Sequence, residues 1–131
     1  MTDDELCALL PPGEDGARVD VPGIGTVRRR GQDRGIMGTH LTWGEIVLDL
    51  PSGFYRTLRP AQRVRMPDAR MYSLKREYEE TGRIRQRNAA NRLPDEAVAA
   101  PIEWLEEQER RAAIVQRLGW HHTGMWWERR E

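Results

Sequence analysis

The sequence predicts an α+β chain: a small antiparallel β-barrel or sheet over residues 17–66, then a helical C-terminal extension over residues 67–131. Three observations carry this expectation. Ile46, Leu48 and Leu50 alternate with Val47 and Asp49 and run into Pro51-Ser52-Gly53, a strand followed by a hairpin turn. Between Pro101 and Gly119 the apolar residues recur at helical spacing. Prolines and glycines at 11–13, 67, 82 and 94 fall where one periodicity gives way to the next. At 131 residues the chain suits one domain, or a small domain with an ordered extension, and its five tryptophans help a 38% apolar composition form a core.

Residues 1–16 read as an N-terminal amphipathic segment. Asp3 or Asp4 is the expected N-cap of a short helix that carries Leu6, Leu9 and Leu10 on one side and ends at Pro11-Pro12-Gly13. Eight residues do not hold a helix unaided, so those leucines dock either on their own domain or, as an LxxLL-type pattern, in a partner's groove. Strand signals follow: Arg18–Val21, a turn at Pro22-Gly23, then Gly25–Arg30 closed by Gly31. A polar loop leads to His40–Leu50, whose alternation gives a strand with one core face. Phe54–Arg59 returns, Pro60-Ala61-Gln62 is expected to make a tight helical turn, and Arg63–Met66 is a final short strand.

This order, a first strand written Gly-x-Val-Arg, a long loop, a strong hairpin, a one-turn helix and a last short strand, resembles the SH3-like small barrels, of which KOW and Tudor modules are members. The resemblance spans about Val19 to Met66 and concerns the superfold alone, which serves many unrelated functions.

Beyond Pro67, Met71, Leu74 and Tyr78 mark a helix over Ala69–Thr81, with Asp68 as N-cap and Gly82 as its stop. Residues 83–92 are polar and form either a second helix or an exposed arm. The last helix begins at Pro101, places Glu103, Glu106 and Glu107 near its start and Arg110, Arg111 and Arg117 near its end, and shows a face of Ile102, Leu105, Ala112, Val115 and Leu118 interrupted at Gln108 and Glu109. Three of the five tryptophans, Trp120, Trp126 and Trp127, lie beyond Gly119. Each buries roughly 200 Å² when packed, so this tail either folds back as core or binds a partner.

Charge is segregated although the formal total is zero. Five acids and no base occupy residues 1–15, sixteen bases oppose eight acids over 18–92, and six acids and no base occupy 95–109. Lys75 is the only lysine, a ratio that the codon bias of a GC-rich genome produces by itself. Guanidinium groups nevertheless suit phosphate or carboxylate partners. Alternation sends Arg28 and Arg30 to one face, and barrel closure would merge them with Arg56, Arg59, Arg63 and Arg65, with Tyr55 or Trp43 stacking a base. The opposing expectation is that Glu103, Glu106 and Glu107 neutralise such a surface internally.

No HExxH, CxxC or G-x-S-x-G motif occurs, and Cys7, His40, His121 and His122 are the only soft ligands, so no metal, cofactor or catalytic residue is expected. No apolar run reaches about 18 residues, and the N-terminus lacks a signal-peptide pattern. A single cysteine fits a reducing cytoplasm. The leading functional expectation is a nonenzymatic protein-binding adaptor, or a regulator or inhibitor of a larger complex, with Leu6, Leu9, Leu10, Trp120, Trp126 and Trp127 as partner-binding candidates. The size and arginine content would suit an accessory gene of a phage or mobile element. The alternative is a nucleic-acid-binding accessory protein that uses the arginine face.

Overall fold

The computed structural model describes residues 1–13 and 15–130; Glu14, one of the five N-terminal acids, and Glu131 lie outside the described residues. The chain is α+β, and it divides into one compact unit of Met1–Arg65 and a second beginning at Met66. The N-terminal segment is therefore part of the first unit.

The first unit opens with helix α1, Asp3–Cys7. Its N-cap is Thr2, in place of the expected Asp3 or Asp4. Glu5 N donates to Thr2 Oγ1 (3.2 Å), while Thr2 N donates to Glu5 Oε1 (3.3 Å). This capping box leaves Asp3, Asp4 and Glu5 in the first turn, where the helix dipole favours negative charge. Six strands follow: β1 Arg18–Val21, β2 Gly25–Arg29, β3 His40–Trp43, β4 Ile46–Asp49, β5 Tyr55–Arg59 and β6 Gln62–Arg65. All pairing is antiparallel, in the order β1-β2-β4-β5, with β3 on β6.

Both ladders keep their phase across the interruptions. β2 runs along β4 from Thr26↔Asp49 to Arg29↔Ile46, Arg30 N donates to Glu45 O (2.9 Å), and Asp33 and Thr42 exchange backbone bonds at 3.0 and 2.8 Å. The Ile46↔Arg59 pair likewise leads in step to Trp43↔Gln62 and His40↔Arg65. β3–β4 and β5–β6 are thus the arms of one long hairpin, bent where Gly44 adopts φ 77° opposite Pro60 and Ala61. Pro60-Ala61-Gln62 makes no helical turn: Gln62 already belongs to β6. Alternation implies a single core face for β4, yet Ile46, Val47 and Leu48 are all buried, so both its faces are covered. One face packs with α1, in a cluster of Leu6, Cys7, Leu10, Val27, Ile46 and Leu48.

The second unit contains helix α2 (Met71–Thr81), a 3-10 turn at Ala89–Asn91, helices α3 (Asp95–Ala99) and α4 (Pro101–Arg117), and a hairpin of β7 (Trp120–His122) with β8 (Trp127–Arg129). α2 starts two residues later than expected. Asp68 Oδ1 takes the Arg70 N–H (2.8 Å) and Arg70 occupies the cap position. Gly82 ends the helix in the left-handed region with a 2.7 Å bond to Tyr78 O, as its sequence position implies. Residues 83–92 form no second helix beyond the single turn. Gln86 ties them down by accepting Leu93 N (2.7 Å) and donating to Leu93 O (3.1 Å).

α4 buries Trp104, Leu105, Gln108, Ala112 and Val115, whereas Ile102 is exposed. The polar gap read at Gln108 is a core position. Its side chain is 1% exposed, and its Oε1 accepts Asp68 N at 2.8 Å, which removes most of the cost of burying an amide. Trp104 and Leu105 join Leu74, Ile84, Leu93 and Ala97 in the core of this unit. Among the described residues, no helix is long and apolar enough to cross a membrane.

Candidate functional site

Pleating on β2 separates three consecutive arginines. Arg28 and Arg30 share a face, as alternation predicts, and Arg29 turns its Nη1 to Pro11 O. Arg28 grips Asp49 through Nε (2.9 Å) and Nη2 (3.3 Å), and Arg30 meets Glu45 at 2.9 Å. The Arg28 hydrogen bond holds the Asp49 carboxyl below its usual range, and the same contact raises Arg28. Arg18 stands directly opposite Arg28 across the β1–β2 ladder. Arg18, Arg28, Arg30 and Glu45, with Trp43, line a groove of about 450 Å³. Arg18 is the residue that sequence reasoning missed. Its alternation with Val19 was visible, but its register against Arg28 was not.

The single merged arginine surface expected from barrel closure does not form. Arg56 pairs with Leu48, which pairs with Val27, so Arg56 lies on the α1 face, opposite to Arg28, and bonds Asp3 at 2.8 Å. Arg59 stands across from Ile46, and Arg63 and Arg65 stand across from Thr42 and His40 on β3. None of these four lines the groove, nor does the exposed Tyr55, while Trp43 does. Strand pairing closes no ring among the described residues.

Of the three acids expected to neutralise the arginine surface, Glu107 is occupied on its own helix. Glu107 accepts from Arg110 (2.7 and 2.9 Å) and Arg111 (3.0 Å) on its own helix. These bonds, that from Arg110 first, lower its pKa to about 2. The stabilisation is therefore complete above the unfolded value of 4.5 and is lost as pH falls through about 2. With 38% of the Glu107 side chain exposed, solvent screens the effect. We expect the small stability gap between the parent and Glu107→Gln, followed by urea titration, to close between pH 4.5 and 2. Glu77 serves Arg87 in the same way (2.5 Å).

Of the partner-binding candidates, Leu6 and Leu10 are buried in the chain's own core, which removes them from any external docking role; Leu9 is exposed. Trp127 is likewise core, at 2% exposure, and Trp120 is half-buried. A rigid base holds the β7–β8 hairpin. His122 Nδ1 accepts Gly124 N (3.0 Å), so the proton sits on Nε2, which donates to Ala69 O (2.8 Å). The imidazole meets Tyr72 and Trp127 edge-on, at centroid distances of 5.0 and 5.3 Å. At the tip, Thr123 Oγ1 accepts the N–H groups of Met125 and Trp126 (3.3 and 3.1 Å). Both of those side chains point outward, Met125 at 73% and Trp126 at 52% exposure.

Among the described residues, no three His, Cys, Asp or Glu side chains are grouped to hold a metal ion. Set against protein-family models, curated proteins and solved structures, the chain matches none of them.

Proposed function

We propose that the protein is a nonenzymatic, cytoplasmic protein-binding adaptor or regulator that engages a larger complex, as accessory genes of phages and mobile elements do. The observation that carries this reading is the β7–β8 tip: Met125 and Trp126 are presented to solvent on a turn whose base is fixed by His122. Methionine and tryptophan are enriched in interface cores, and a preordered tip loses little entropy on docking. The SH3-like resemblance of the first unit fits the same reading, because such small barrels commonly serve as binding modules.

The test separates Trp126 from its neighbour. Trp126→Ala is expected to leave the melting temperature within about a degree or two, since it removes little packing, while weakening a partner recovered by crosslinking from the source organism by at least roughly tenfold. Unchanged partner recovery with this variant and with Met125→Ala would exclude the tip.

A second reading, a nucleic-acid-binding accessory protein, is favoured by one observation: Arg18, Arg28 and Arg30 share their groove with Trp43.

A further inference from the structure

We infer that the groove of the first unit takes one nucleotide unit, its phosphate on Arg18 and Arg30 and its base against Trp43. This rests on the second reading and narrows it to one site and one ligand chemistry.

The groove is electrostatically lopsided. Of the arginines that line it, Arg18, Arg28 and Arg30 stand against two acids, Asp33 and Glu45, while Arg29 is drawn away to Pro11 O. Asp33 already uses Oδ1 to accept Gly35 N (2.8 Å). Arg28 commits Nε and Nη2 to Asp49, and Arg30 commits only Nη1 to Glu45, which leaves its Nε and Nη2 as donors. Arg18 adds a whole guanidinium that makes no hydrogen bond to any described residue, although its charge bears on Asp49. Like charges directly opposite on paired strands destabilise a sheet. Arg18↔Arg28 is such a pair; Asp49 offsets it from the Arg28 side, and an anion between Arg18 and Arg30 would offset it further.

The remaining wall favours a nucleotide over a bare anion. Trp43 offers an aromatic surface beside those donors, and the volume of about 450 Å³ lies within the range of small-ligand sites. Phosphate on guanidinium with a base on an aromatic ring is the usual combination in single-strand recognition. The second unit has a hollow of comparable size, about 390 Å³, lined by Arg70 and Arg87. It lacks this surplus: Arg70 is occupied by Asp68 and by the carbonyls of Asn91 and Arg92, and Arg87 by Glu77.

The experiment follows the full chain binding a labelled oligothymidylate of about eight nucleotides by fluorescence anisotropy at low salt, with AMP and inorganic phosphate as competitors. Arg18→Ala is expected to weaken binding about tenfold and to reduce the salt slope by about 0.7, the loss of one phosphate contact. Trp43→Leu is expected to weaken it about tenfold without changing that slope. Arg18→Ala should fold as well as the parent, because it breaks no described hydrogen bond and removes the like-charge opposition.

Displacement by AMP would assign the groove to free nucleotides as well as strands. Strand binding that AMP does not displace, but that both substitutions weaken, would assign it to strands alone. Either result supports the site. Inorganic phosphate displacing the strand as effectively as AMP would overturn the base contact. Strand binding that survives both substitutions would overturn the groove while leaving nucleic-acid contact elsewhere on the protein. Absence of any binding at low salt would sink the second reading together with this site.

Discussion

Trp127→Ala is expected to destabilise the second unit by about 3–5 kcal/mol, the usual cost of emptying a buried tryptophan site. The side chain is 2% exposed, and its ring meets His122 at 5.3 Å and Tyr72 at 6.3 Å. Removing it leaves a void that β7–β8 cannot close, because His122 Nε2 is bonded to Ala69 O and the turn is bonded to His122 Nδ1. The hairpin must therefore lose packing while its hydrogen bonds resist collapse. Trp127→Phe keeps most of the volume and should cost clearly less. Denaturant unfolding read by near-ultraviolet circular dichroism measures both variants. A Trp127→Ala protein as stable as the parent would show that the hairpin contributes nothing to the core.

Gly25→Ala should be the most disruptive single-methyl change in the first unit, costing about 3 kcal/mol from backbone strain and overpacking together. Gly25 has φ 150°, a conformation that side-chain-bearing residues rarely adopt, and a Cβ there would stand 2.3 Å from Asp49 O. The obstacle is backbone, so no rotamer change relieves it. Asp49 would have to move, and Asp49 both pairs with Thr26 and anchors Arg28. The expected result is a lowered denaturation midpoint with an unchanged denaturant slope. Asp49→Asn, which weakens the anchor without the clash, should cost much less. Equal losses from the two variants would mean that the close approach of β2 to β4 is not the cause.

Much of the framework was legible because it rests on local chemistry. Pro22-Gly23 and Pro51-Ser52-Gly53 are turns, Gly82 is a helix stop and Pro101 starts α4, each for a backbone reason that needs no tertiary context. Misread elements were those decided by distant partners. Gln108 looked like a break in an apolar stripe because nothing local reveals that Asp68 supplies its hydrogen bond from 40 residues away. Pro60-Ala61 looked helical because its role as a bend depends on Gly44 in the opposite arm. α3 was not anticipated: its five residues are short, and their burial of Ala97 depends on the surrounding core.

The candidate sites divide in the same way. Alternation was enough to put Arg28 and Arg30 on one side, and it failed for Arg56 because that residue's face depends on pairing with Leu48. In the tail, tryptophan content signalled burial without saying which ring would be buried. Trp127 packs and Trp126 does not because they are neighbours on a strand end, where successive side chains leave in opposite directions.

The bent hairpin also has a kinetic consequence. Its pairs all propagate from one three-residue turn, so the arms can zip from tip to base, each new pair closing only a small additional loop. Between Ile46 and Val47 the pairing skips Leu58, a single-residue offset that both halves of the zipper must respect. Slippage by one position at that point would exchange Val64 for Arg63 or Arg65 against β3, driving guanidinium into the interior and valine into water. The bulge thus acts as a phase key, and alignment of the outermost arginines is inherited from a nucleation event near Pro51.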